Sequence, residues 1–301
     1  MSKITRPRVP AVASPSAVAV LGKSLALMKP VTWFAPAWAF LCGAIASNNL
    51  QVGVTPFGRL ALGVGLAGPI LCGLSQVVND YCDRDVDALN EPQRLIPSGQ
   101  VTSLQVFVTI GALVALGLGV ALILGPQVAL LTAIGMVLAV FYSANPIRAK
   151  RNGWFGNTLV SVSYEGLPWL AGSLAFGQLT GGSLLMAALY SLGAHGIMTV
   201  NDFKSIEGDR RMGIYTIPVL YGTRGGAWLA VMTMNLAQLC VIIAFAAWGN
   251  YVTAAIIGAL LLAQLPPQRR FLSDPARHAV FYNASGIMLF VWGMLVAAIG
   301  L

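Results

Sequence analysis

The sequence predicts an all-α integral membrane protein, and three observations carry that prediction. Of its 301 residues, 57% are hydrophobic and only 9% are charged, where a soluble domain carries about 25%. The apolar residues run in long unbroken stretches, not in the short alternating segments of a membrane barrel. The 18 Lys and Arg residues collect in the short segments between those stretches, which is the pattern of loops facing one side of a bilayer.

Nine transmembrane helices are expected, near 31–48, 58–79, 104–124, 127–143, 155–175, 183–201, 225–248, 251–265 and 279–300. Several approach the ~20 residues that cross a bilayer. Loop chemistry marks the breaks: Gly125-Pro126, Gly181-Gly182, Gly249-Asn250 and Pro266-Pro267. Residues 1–29 read as a cytoplasmic tail. No secretory signal is recognisable in it. Residues 1–15 are polar, and Ala17 to Met28, with Lys23 and Lys29, suit an amphipathic helix lying on the membrane surface. Residues 30–301 then form one nine-helix domain.

A cytoplasmic N-terminus places the segments near 80–103, 144–154, 202–224 and 266–278 on the same side as the tail. Only Arg59 among the basic residues then falls outside. The net charge of +8 is explained by topology and anionic headgroups, so no nucleic-acid partner is implied. An internal repeat is expected, 30–154 against 155–278. An acidic string ends the second and the sixth span, and each is followed by an Ile-Pro pair, Ile96-Pro97 and Ile217-Pro218. Cys42, Cys72, Cys82 and Cys240 form no CxxC pair and imply neither disulfide nor zinc.

The two acidic strings are the chemically informative feature. They run Asn79-Asp80-Tyr81-Cys82-Asp83-Arg84-Asp85-Val86-Asp87 and Asn201-Asp202-Phe203-Lys204-Ser205-Ile206-Glu207-Gly208-Asp209, and hold seven of the ten acidic residues. Carboxylates are expensive near lipid, so two such strings at equivalent helix ends need a function. Asn79, Asp83 and Asp87 are spaced i, i+4, i+8 and share one helix face. Asn201, Ser205 and Asp209 repeat that spacing. Hard oxygens in such a stripe suit Mg2+, which binds through a few carboxylates together with phosphate oxygens. The candidate metal ligands are Asn79, Asp80, Asp83, Asp87, Asn201, Asp202 and Asp209.

The neighbouring cations Arg84, Arg94, Arg148, Lys150, Lys204 and Arg210 could neutralise a diphosphate. Each could equally be a simple topology anchor. Arg94 and Lys204, lying within or just beyond the motifs, are assigned with Asp83 and Asp87 to catalysis. Arg84, Arg148, Lys150 and Arg210 are assigned to diphosphate binding. Glu165 is the one acid expected well inside a span, and is either functional or a hydrogen-bonded structural group. His195, about two turns below Asn201, reads more readily as structural than as a ligand.

Asn79, Asp80, Asp83 and Asp87 match the N-D-x-x-D-x-x-x-D pattern, and the chain resembles the UbiA superfamily of intramembrane prenyltransferases. Ser205 stands where many members have Asp. The string Asp87-Ala88-Leu89-Asn90-Glu91-Pro92 leading to Arg94 and Ile96-Pro97-Ser98-Gly99 is similar to the chlorophyll and bacteriochlorophyll synthase branch. So are Tyr142-Ser143-Ala144, Asn152-Gly153-Trp154 and Asn201-Asp202-Phe203-Lys204-Ser205. Leu95 and Asn145 stand where prolines are expected.

The resemblance implies a nine-helix bundle around a central cavity and Mg2+ as cofactor. It also implies geranylgeranyl or phytyl diphosphate as donor and bacteriochlorophyllide as acceptor. The lipid bilayer and photosynthetic assembly proteins are the implied partners. The short tail, without a plastid-type leader, points to the bacterial inner membrane, cytoplasmic or photosynthetic intracytoplasmic. Trp33, Trp38, Trp154 and Trp169 are candidates to line the cavity. The alternatives are a chlorophyll synthase, a quinone-precursor prenyltransferase, and a transporter or pigment-carrying assembly protein.

Overall fold

A computed structural model describes residues 16–301; the polar residues 1–15 lie outside the described residues. Helix α1 (Ala17–Leu27) starts at Ser16, whose hydroxyl accepts from the Ala19 amide. A 63° bend separates the segment Ala17–Thr32 from α2 (Phe34–Ala46), and Lys29 within that segment has φ 46°. There follow α3 (Val54–Asn90), α4 (Ser103–Leu124), α5 (Pro126–Ser143), α6 (153–176), α7 (Gly181–Lys204), α8 (Ile217–Ala247), α9 (Tyr251–Ser273) and α10 (Pro275–Gly300).

Seven of these helices are long and apolar enough to cross a membrane, and eight if the bent pair α1–α2 is one crossing. Helix α6 is continuous but is not among them. Its interior carries Asn157, Ser161, Ser163 and Glu165, which dilute its hydropathy.

Side-chain caps set several helix starts. Thr102, Asn152, Thr180 and Asn250 each accept from an amide of the first turn that follows. Gly125 has φ 136°, which favours glycine, and Pro126 opens α5. Two expectations fail. Pro266 and Pro267 do not end a helix, since α9 runs on to Ser273. The span expected to finish at 79 continues through the first motif to Asn90. Charge at the end of the stretch makes it too polar for a hydropathy reading but does not stop the helix.

Three helices contain π-turns: Leu66–Cys72 in α3, Val162–Gly166 in α6 and Asn283–Ile287 in α10. Such turns are frequent at functional sites, and each of these contributes residues to the central cavity. The bundle has two apolar cores. One joins α2 with α6 to α10 around Trp169, Tyr190, Phe245 and Phe290, and the other joins α1 to α6 around Phe40, Leu66 and Val77.

Helices α2 and α6 meet at backbone distance. A Cβ at Gly43 would lie 1.9 Å from the Trp169 carbonyl oxygen, and one at Gly172 would lie 2.1 Å from that of Phe40. At the bundle end away from the motifs, Arg59 donates through Nε to the Ala175 carbonyl at 2.6 Å and through Nη2 to that of Leu124. Its place among helix C-terminal carbonyls gives this basic residue partners away from the motifs.

Candidate active site

A cavity of about 950 Å3 lies between α2, α3, α5, α6 and α7. Lys29, Asn79, Arg94, Asn201, Asp202, Lys204 and Ser205 line its polar part, and Phe34, Leu66, Leu131, Leu159, Leu167 and Ala171 are among the apolar residues of its interior. The two acidic motifs, more than a hundred residues apart in the chain, therefore meet at one mouth. A more open groove between Arg224, Trp228, Arg269 and Asp274 contains no motif residue.

The first motif is helical throughout, so its i, i+4, i+8 stripe is real. Asn79 faces the cavity and donates to Ser143 Oγ at 3.2 Å. The carboxylates of Asp80, Asp83 and Asp87 lie just behind the mouth, each held by cations. Asp80 pairs with Lys29 at 2.7 Å and lies 3.7 Å from Arg94. Asp83 pairs with Arg148 at 2.9 Å and with Lys150. Asp87 accepts from Arg94 at 2.9 Å, and Arg94 also pairs with Glu91. Burial pulls the Lys150 ammonium down and Asp83 opposes it, whereas Asp87, Glu91 and Asp80 together hold Arg94 above its usual value despite its burial.

The second motif breaks the expected stripe. Helix geometry ends at Asn201, a 3-10 turn covers Asp202–Lys204, and a short helix, Ile206–Arg211, begins after Ser205. Asn201 and Asp202 remain at the cavity. Asn201 Oδ1 accepts from Asn283 Nδ2 at 3.1 Å, and Asp202 Oδ2 accepts from Asn157 Nδ2 at 3.0 Å. Asp209 does not line it. Ser205 Oγ donates to Asp209 Oδ2 at 2.7 Å, so the serine acts as the partner of that carboxylate. Burial pushes the Asp209 carboxyl up, against the hydroxyls of Ser205 and Thr216.

Of the assigned cations, Arg94 and Lys204 line the cavity. Arg148 and Lys150 stand one layer back on Asp83. Arg84 lies over the Tyr81 ring at 4.4 Å, beside exposed Asp85, and Arg210 pairs at 3.8 Å with exposed Glu207. Neither of these two faces the cavity. Lys204 is exposed and has no ion pair among the described residues.

None of the four candidate tryptophans lines the cavity. Trp169 is fully buried against Ser183, Trp38 bonds to the Val291 carbonyl, and Trp154 stacks on His195. Phe34, Phe40, Tyr142 and Tyr164 line it instead. Sequence reasoning also missed Lys29, assigned to the tail, and Asn157 and Asn283, amide side chains within largely apolar spans. The signal for the asparagines was their polarity inside a span.

Among the described residues no three of His, Cys, Asp and Glu converge into a ready metal cage. The oxygen donors nevertheless suit Mg2+, which binds through one or two carboxylates plus substrate phosphates rather than through an all-protein cage. Asn79, Asn201 and Asp202 supply hard oxygens at the mouth, with Asp80, Asp83 and Asp87 paired to cations behind them.

The UbiA prenyltransferase family profile matches residues 34–294. The chain belongs to the UbiA prenyltransferase family. It is 59% identical over 95% of its length, and 92% of the relative's, to the bacteriochlorophyll synthase 34 kDa chain of Chloroflexus aurantiacus. Identity is 45% to the 33 kDa chain of Cereibacter sphaeroides, over 91% of each protein. It is 40% to the chloroplastic chlorophyll synthase of Oryza sativa, over 91% of this chain and 75% of that one. Among solved folds, a UbiA homolog from Archaeoglobus fulgidus bound to GPP and Mg2+ superposes with a TM-score of 0.67 at 16% identity, covering 93% of this chain and all of that one. An apo UbiA homolog from Aeropyrum pernix gives 0.69 at 20% identity, covering 90% and 96%. The UbiA fold and the integral membrane character of the chain are thereby established.

Proposed function

We propose that this chain transfers a prenyl group from geranylgeranyl or phytyl diphosphate to the propionate carboxylate of bacteriochlorophyllide. The cavity carries this reading. Both motifs build its polar mouth and an apolar interior continues from it, as a diphosphate with a long hydrocarbon tail requires. The bacteriochlorophyll synthase relatives support the choice of acceptor.

In the reaction the bond between prenyl C1 and the diphosphate oxygen breaks, its electrons leave with diphosphate, and a carboxylate oxygen bonds to C1. The carboxylate is ionised in water near neutral pH, so no strong base is needed. The difficulty is bringing two anions together. Lys204 and Arg94 face the cavity and meet the diphosphate charge. Asp87 orients Arg94, and Asp83 anchors Arg148 and Lys150 behind the mouth. Asn79, Asp80, Asp83 and Asp87 of the first motif, with Asn201 and Asp202 of the second, would hold Mg2+, whereas Asp209, held by Ser205 off the cavity, would not. When bound, Mg2+ neutralises the diphosphate and stabilises the charge it gains on leaving. The apolar interior keeps water from the allylic carbon.

The same reading places nine crossings in the membrane, with α6 as the ninth, and the 30–154 and 155–278 halves as a repeat. The N-terminus and the site lie on the cytoplasmic side of a bacterial inner membrane, beside photosynthetic assembly proteins as partners. The decisive experiment offers purified protein several prenyl diphosphates with bacteriochlorophyllide, chlorophyllide or a quinone precursor, with and without Mg2+. Mg2+-dependent ester and diphosphate formation with bacteriochlorophyllide is the expected result. Prenylated quinone precursor, or no diphosphate release with any acceptor, would overturn the reading.

Two predictions follow from the mouth. Lys204→Ala raises KM for the prenyl diphosphate about tenfold or more, since removing one charged hydrogen-bond partner costs about 1.5–3 kcal/mol. Arg210→Ala, out on the surface, stays within about twofold. Initial rates at varied donor separate the two, and equal effects would remove Lys204 from the diphosphate site.

The rate at saturating donor is flat from about pH 6 to 8 unless an enzyme group titrates, because an ordinary propionate with a pKa near 4–5 is already ionised there. His195→Gln leaves the profile flat, because His195 stacks on Trp154 and does not line the cavity. A rate rising tenfold per pH unit, abolished by His195→Gln, would contradict carboxylate attack.

A further inference from the structure

Among the described residues, three polar atoms of the cavity wall are buried without a hydrogen-bond partner: Thr132 Oγ1, Ser163 Oγ and Glu165 Oε2. Thr132 is 2% exposed and Glu165 7%. They come from α5 and α6, which pack together. Ser163 and Glu165 both lie in the π-turn Val162–Gly166, where the extra residue re-aims side chains relative to a regular helix. Glu165 is eight residues along α6 from Asn157, the residue that holds Asp202. At 1.5 Å per residue it lies about 12 Å from the mouth along that helix.

Neighbouring polar groups of this wall do have partners. Tyr164, between the two orphans, shares its hydroxyl with Ser75 at 2.9 Å and with Gln76 at 3.1 Å. Asn157 serves Thr199 and Asp202. Among the described residues, Thr132, Ser163 and Glu165 are the lining residues with a fully buried polar atom left unpaired, and buried polar groups in proteins are nearly always paired.

A prenyl chain laid against this patch offers it nothing, because hydrocarbon neither donates nor accepts. A flat macrocycle with ketone and ester carbonyls on its rim does. Glu165 has no ion pair among the described residues. A buried carboxyl without a counter-charge is retained as the neutral acid, which is a hydrogen-bond donor. The Ser163 and Thr132 hydroxyls can also donate.

We infer that Glu165, with Ser163 and Thr132, binds a rim carbonyl of the acceptor ring, assigning this side of the cavity to the acceptor and not to the prenyl tail. The inference rests on the function proposed above. It makes Glu165 a binding residue that positions the ring while the propionate stays at the mouth.

The test compares parent, Glu165→Gln, Glu165→Leu, Ser163→Ala and Thr132→Val. Ester formation by the parent from bacteriochlorophyllide and geranylgeranyl diphosphate tests the underlying function, and its absence would count against that function alone. Given an active parent, Glu165→Leu raises the acceptor KM about tenfold, equivalent to about 1.4 kcal/mol, and leaves the donor KM within twofold. Glu165→Gln, which still donates, stays near the parent. The infrared carbonyl stretch of bound pigment is lowered in the parent and in Glu165→Gln, and returns towards its unbonded frequency in Glu165→Leu.

If Glu165→Leu fails to fold, Ser163→Ala and Thr132→Val carry the test, each raising the acceptor KM a few-fold with the donor KM unchanged. A rise in donor KM with the acceptor KM unchanged would overturn the assignment. So would an unmoved carbonyl band, or parental kinetics in all the folded variants.

Discussion

Asp87→Asn lowers kcat/KM by about 10²–10³-fold, the usual effect of removing one preorganised electrostatic partner, and leaves a folded protein. Asp87 is 8% exposed and accepts from Arg94, which lines the cavity mouth. The substitution keeps the side-chain shape but removes the charge, so it releases Arg94 and takes one oxygen anion from the proposed Mg2+ set. Arg94 is about a third exposed and keeps Glu91 as partner, so it is not stranded. That distinguishes Asp87 from Asp83, whose loss would leave Arg148 and Lys150 largely buried without their counter-charge.

Asp85 is the internal control. It lies in the same motif, but its side chain is 84% exposed and comes no closer than 3.7 Å to Arg84. Asp85→Asn therefore stays within about twofold, as an exposed pair is worth little. Rates measured across an Mg2+ titration decide the matter. Near-parental turnover of Asp87→Asn at ordinary Mg2+ would remove this residue from the catalytic set.

The second large effect is on folding. Gly43→Val destabilises the bundle by at least about 3 kcal/mol, the upper end of ordinary overpacking, and yields little monodisperse protein in detergent. The first added carbon would meet the Trp169 carbonyl oxygen at 1.9 Å, and that obstacle is backbone, not a side chain free to turn away. The contact cannot open locally. Ser173 Oγ donates to the Gly43 carbonyl at 3.0 Å, and Gly172 sits against the Phe40 carbonyl from the other side. Small residues at such crossings let membrane helices approach where no hydrophobic force drives them together.

Separating α2 from α6 would also move one cavity wall, because Phe34 and Phe40 belong to α2 and Glu165 and Pro168 to α6. Gly119→Val is the comparison, since nothing lies within 4 Å of a Cβ there. It is expected to be tolerated within about 1 kcal/mol, the scale of helix propensity. Size-exclusion profiles and thermal midpoints of both variants, purified alike, provide the measurement. A stable, active Gly43→Val protein would mean that the two helices do not touch as described.

The chain itself determined a good deal. Long apolar stretches with almost no interior charge leave a helical bundle as the only way to satisfy the backbone in lipid. The matching Asn-Asp strings marked where the chemistry sits. Glu165 stood out because a lone acid in an apolar span has no ordinary explanation. What could not be read was which oxygen faces which neighbour. The helical spacing of Asn79, Asp83 and Asp87 suggested one open stripe, and the stripe exists. Yet Lys29 and Arg94, from before and after it in the chain, together with Arg148 and Lys150, claim its carboxylates and leave only Asn79 facing the cavity.

The spacing of the second motif was misleading, because the helix breaks at Asp202 and Ser205 turns to serve Asp209. The aromatic residues were misplaced for a similar reason. Every span is apolar on most faces, so hydropathy does not distinguish a tryptophan packed between helices from one beside a cavity. Periodicity fixes the face a residue occupies on its own helix. Only the packing of α2, α3, α5, α6 and α7 decides what that face meets, because the close approaches, ion pairs and orphaned polar atoms of the cavity join residues up to a hundred and more positions apart, and no local pattern records those distances.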